Sequence, residues 1–121
     1  MKPDDHRARA ERIERSLAKC RSVDYEMKIE AAMLAGTHWL NLALHRKGAT
    51  QPEVDVLHTY MLTVNDLRRY SVADDASVKA LAEIEDIRPP YVRGNRSGGE
   101  QAAARALELL AVLRERALGA S

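Results

Sequence analysis

Between Ile87 and Glu100 the chain contains Arg88-Pro89-Pro90-Tyr91 followed by Val92-Arg93-Gly94-Asn95-Arg96-Ser97-Gly98-Gly99, flanked on both sides by fluent helical sequence. Neither proline has an amide to donate, and Pro90 biases Pro89 away from the α region, so a regular helix is expected to stop here. Ser97 and Glu100 then match the Ser-x-x-Glu capping box, which satisfies free amides where a new helix begins. A stiff bend carrying three arginines therefore stands directly before a helix N-terminus, where amides and the helix dipole favour an anion. Arg88, Arg93 and Arg96 can each offer forked donors to phosphate or carboxylate. Tyr91 would stack or pack beside them, and Ser97 with the following glycine amides would complete an anion cradle. The competing reading is a structural kink whose arginines pair with Glu83, Glu85, Asp86 or Glu100.

The remaining periodicity is helical throughout. Ala10, Ile13, Leu17 and Cys20 mark a helix over residues 4–21 whose outer face mixes arginines with acids. Asp24 is placed to cap a long helix from Tyr25 to about Arg46, with Tyr25, Ile29, Ala32, Gly36, Trp39 and Ala43 on its main stripe. Met33, Leu40 and Leu44 widen that stripe past half the circumference, as in a central helix with several neighbours. Gly36 weakens a helix interior by about 1 kcal/mol, which close approach of another helix would offset. Thr50 and Glu53 form a second capping box, with Pro52 in the first turn. They predict a third helix with Val54, Leu57, Met61, Val64 and Leu67 on its buried face, fading near Arg69-Tyr70. A fourth helix is expected from Asp74-Asp75 through Val78, Leu81, Ile84 and Ile87 to the proline bend. A last one runs from about Gly99 to Leu118 and packs through Ala103, Ala106, Leu107, Leu110 and Leu113. No segment alternates as a strand does, so the expected fold is an all-α, antiparallel four- to five-helix bundle.

Bulk properties narrow the function classes. The chain has 121 residues and 45% hydrophobic content, which suits one domain spanning residues 1–121. Charged residues reach 31%, yet the formal net charge is +1, so any electrostatic function must be local. There is no apolar run long enough to cross a bilayer and no signal-peptide core after Met1, so the expectation is a cytoplasmic protein without membrane partners. Cys20 is alone and lies on an apolar helix face, where a thiol usually packs inertly. No nucleophile elbow, phosphate loop or dinucleotide fingerprint is present, and no cofactor or catalytic residue is assigned. His38 and His45 lie a heptad apart, and Asp55 precedes His58 by three positions. That spacing is not a metal-ligand signature, so hydrogen-bonded or partly exposed histidines are expected and no metal.

The helix from Tyr25 to Gly48, ending in Trp39-Leu40-Asn41-Leu42-Ala43-Leu44-His45, and the helix-bend-helix from Val78 to Leu113 together resemble the HEPN superfamily of small, often dimeric helical bundles. The resemblance implies RNA cleavage without metal in members that carry Arg and, four to six residues later, His near the final helix. Here Arg88 is followed at that spacing by Arg93, and no histidine follows His58. Replacing His by Arg removes the group able to exchange a proton near neutral pH. What the resemblance then implies is a homodimeric, non-nuclease bundle that binds a nucleotide, RNA phosphate or acidic partner. It would act alone or as companion to a nucleotidyltransferase. The alternatives are a metal-independent ribonuclease of toxin–antitoxin type, with His38, His45 or His58 supplied from another helix, and a pure protein-interaction module.

Overall fold

The computed structural model describes residues 1–119. Four α-helices account for most of them: α1 (Pro3–Leu17), α2 (Tyr25–Arg46), α3 (Val64–Arg88) and α4 (Gly99–Gly119). No strand occurs among the described residues, and the fold is the all-α bundle expected. α2 lies against each of the other three helices. Its residues Ile29, Ala32, Ala35, Gly36, Trp39, Leu40, Leu42, Ala43 and Leu44 are all buried, a spread wider than one stripe. Glu30 meets Arg88 and Lys47 meets Asp74, so α3 runs antiparallel to α2. Tyr25 abuts Gly99 and Arg46 bonds the carbonyl of Ala117, so α4 runs parallel to α2.

Gly36 makes the close approach that its position in the stripe predicts. A Cβ there would stand 2.9 Å from a Leu113 methyl and 3.5 Å from one of Leu81, so α4 and α3 both converge on this point. The expected buried residues of the last two helices are also in place. Val78, Leu81, Ile84, Ala103, Ala106, Leu110 and Leu113 are core, with Ile87 and Leu107 packed at its edge.

The predicted third helix is not formed as such. Residues 51–58 are non-helical, a single 3-10 turn covers Thr59–Met61, and helix resumes only at Val64. Thr50 does not cap Glu53; its hydroxyl lies 2.6 Å from His45 Nδ1. Buried side chains take over the backbone bonding that a helix would supply internally. The Asn41 amide bonds both the N–H and the C=O of Val56, each at 2.7 Å, as a neighbouring strand would. Glu85 likewise accepts the Thr59 amide at 3.0 Å. The predicted apolar face is consequently turned outward, with Leu57, Met61 and Val64 each more than 60% exposed.

The predicted helix start at Asp74 survives as a kink inside α3. Asp74 has φ −157° and ψ 81°, and its Oδ1 accepts the Ser77 amide at 3.2 Å, as an N-cap does. Upstream residues from Val64 join this helix through the kink.

Candidate functional site

The prolines do not end α3. Pro89 has φ −60° and ψ −48°, ordinary helical values, and Pro89–Arg93 form one π turn that extends the helix. A wider turn relieves the clash between a proline ring and the preceding carbonyls, while the missing amides cost no bond that the π ladder needs. The bend falls at Gly94, whose amide donates to the Pro89 carbonyl at 3.0 Å. A Cβ on Gly94 would lie 2.8 Å from the Pro90 carbonyl oxygen, so the chain can fold back this tightly only with glycine.

The structure separates the five predicted site residues. Arg88 turns toward α2 and meets Glu30 at 2.5 Å; the bond to that carboxylate raises the guanidinium pKa further. Arg96 lies over the Tyr91 ring, 5.9 Å from its centroid. Ser97 is exposed, and the first helical carbonyl of α4 is that of Gly98, which accepts from Ala102. Gly98 has φ +91°, and Gly99 is sealed beneath Tyr25, so the start of α4 is packed against α2. Arg93 remains with Arg88, lining a cleft of ≈ 250 Å³ with Met33, Tyr60, Glu85, Asp86 and Pro89. Among the described residues Arg93 has no acidic partner within salt-bridge distance.

The connection before α3 contributes Tyr60 to this cleft, and α3 contributes Glu85. Glu85 is buried and holds both the amide and hydroxyl of Thr59, and His58 Nδ1 lies 3.0 Å from its Oε2. The His58 ring stacks on Tyr60, with centroids 4.7 Å apart and planes 17° apart. An imidazole bonded to a buried carboxylate thus backs Tyr60, the exposed aromatic ring that lines the cleft with the two guanidinium groups. Tyr60 is not marked as a site residue by local sequence, because only the fold of the connection brings it to the bend.

A second polar cluster joins α1, the end of α2 and the connection. His6 Nε2 and His45 Nε2 both address Asp55 Oδ1, at 2.9 and 3.0 Å. His6 Nδ1 is 2.9 Å from His38 Nδ1. Asp55 Oδ2 also accepts from the Met1 amino group at 3.0 Å. Burial is the main cause of the lowered pKa of both His6 and His38, overcoming the attraction of Asp55. Burial raises the Asp55 pKa, but the bonds from His6, the amino terminus and His45 outweigh it and leave the net shift downward. His6 was missed as a site residue, although it precedes Ala10 and Ile13 at four- and seven-residue steps on the buried side of α1.

Comparison of the chain with protein-family models, with curated proteins and with solved structures finds no match in any of the three.

Proposed function

We propose that this chain is a HEPN-like bundle that binds the phosphate of a nucleotide or single-stranded RNA in the cleft between α2, the connection and the π turn. The supporting observation is Arg93, a guanidinium without an acidic partner among the described residues, lining the same cleft as Arg88 and Tyr60. Arg93 is then the principal anion ligand. Arg88, held by Glu30, assists, and Tyr60 gives the stacking face in place of Tyr91, which Arg96 covers. Such a bundle suits the role of companion to a nucleotidyltransferase in the cytoplasm. Titration of labelled single-stranded RNA and of nucleoside monophosphates tests this. Arg93→Ala is expected to weaken binding about tenfold, on the scale of a charge-assisted bond. Equal or absent binding by wild type and variant would remove the proposal.

A second reading has its own observation, the His58–Glu85 pair beside the same cleft. His58 would act as proton acceptor in a metal-independent ribonuclease, with Arg93 on the phosphate. Cleavage in the same titration that persists in EDTA and disappears in His58→Gln would favour it over simple binding.

The reading also includes a homodimer. α2 leaves Met27 and Leu34, one heptad apart, 64% and 53% exposed beside Ala31 and Ile13. A second copy covering this strip would bury them. Sedimentation equilibrium should give a dimer for wild type and a monomer for Met27→Lys/Leu34→Lys; a monomeric wild type would contradict it.

A further inference from the structure

We propose that His6, His45 and Asp55 form a binding site for a divalent transition-metal ion, with Zn²⁺ the best chemical fit. One nitrogen from each imidazole and one carboxylate oxygen lie within 4.8 Å of one another. The Nε2–Oδ1 separations are 2.9 and 3.0 Å. Ligands about 2.0–2.1 Å from a tetrahedral zinc stand roughly 3.3 Å apart, so each Nε2–Oδ1 pair would open by a few tenths of an ångström around an ion. Both imidazoles are almost fully buried while Asp55 is 26% exposed, so an ion would enter from the Asp55 side, where the Met1 amino group bonds Oδ2 and would have to move aside. Two imidazoles and one carboxylate form a nitrogen–oxygen donor set suited to a first-row divalent ion.

The groups behind the ligands support the assignment independently. A ligating imidazole is usually held by a partner on its other nitrogen, and both candidates have one: His38 Nδ1 behind His6, and Thr50 Oγ1 behind His45. Each of these partners can either donate or accept. Without metal, ionised Asp55 accepts an Nε2–H from both rings, and each Nδ1 accepts from the group behind it. With metal, both Nε2 lone pairs face the ion, and each Nδ1 carries the proton and donates backward. His38 moves its own proton to Nε2 in that exchange. The two bonds behind the rings are kept with reversed direction, the two Nε2–H bonds to Asp55 give way to the ion, and each ring keeps one proton.

The three ligands come from α1, the last turn of α2 and the connection, so a bound ion would clamp the connection against the bundle. The test uses the full chain stripped with EDTA and titrated with Zn²⁺ by calorimetry and with Co²⁺ by visible absorption. One ion per chain is expected, with Co²⁺ giving the intense visible bands of a tetrahedral site and Zn²⁺ raising Tm. His6→Gln and Asp55→Asn should each weaken Zn²⁺ binding at least tenfold, while His58→Gln leaves it unchanged. Asp55→Asn retains an oxygen for the connection, so it keeps the test informative if His6→Gln misfolds. Absence of stoichiometric binding by wild type, or wild-type affinity in a folded Asp55→Asn, would overturn the proposal and leave the cluster as a hydrogen-bond network.

Discussion

Replacing Trp39 with Ala is expected to cost about 3–5 kcal/mol, the range for truncating a large buried aromatic. Trp39 is fully buried in the middle of α2, the helix that touches every other one. A domain of this size has only about 5–15 kcal/mol in hand, so the variant should be marginally folded. Two effects contribute, and a second variant separates them. The indole Nε1 donates to Glu14 Oε2 at 2.7 Å, and Glu14 also takes Arg114 from α4. Trp39→Phe keeps most of the packing and loses only the donor, for about 1–2 kcal/mol, because Glu14 still has Arg114. Urea unfolding of both variants measures the split. A loss near zero for Trp39→Ala would show that α2 is not the centre of the bundle.

Asp74→Ala is expected to cost about 3 kcal/mol. The carboxylate is fully buried and accepts from Lys47 at the end of α2, from Arg116 in the last turn of α4, and from the Ser77 amide. Loss of the cap accounts for about 1 kcal/mol. Loss of the two charged bonds supplies the rest, at the low end because Lys47 and Arg116 are partly exposed and can turn to water. Asp74→Asn keeps an oxygen for Ser77 and should cost about half as much. Burial pushes the Asp74 carboxyl up, but Lys47 and the Ser77 amide outweigh it and hold the folded pKa below its ordinary 3.8. A depressed carboxylate stabilises above its unfolded value and loses that contribution as pH falls through the folded one. The gap between wild type and Asp74→Ala should therefore narrow below about pH 3.8. A difference within about 0.5 kcal/mol at neutral pH would place Asp74 outside the set of anchoring groups.

Both anchors were visible in sequence, Trp39 on the wide α2 stripe and Asp74 as a helix start. Gly36 was legible for the same reason: a glycine in an otherwise apolar stripe implies a close neighbour, and Leu113 and Leu81 are there. The connection was not legible. Val54, Leu57, Met61 and Val64 repeat at helical steps, yet Asn41 and Glu85 capture the backbone of Val56 and Thr59 from far along the chain. Local periodicity contains no trace of that competition. The bend misled in the opposite sense, because a π turn admits Pro89 and Pro90 where an α turn would not. The candidate cleft follows from both surprises. Arg88 and Arg93 were marked by sequence, but Tyr60 joins them only because the connection is not a helix.

The most direct measurement follows the arginine side-chain Nε–H and tyrosine ring NMR signals while a nucleoside monophosphate is added. The account predicts saturable shifts at Arg93, Arg88 and Tyr60, smaller ones at Arg96, and loss of the response in Arg93→Ala. Shifts confined to other surfaces, or none at saturating nucleotide, would contradict a phosphate-binding cleft between α2, the connection and the π turn.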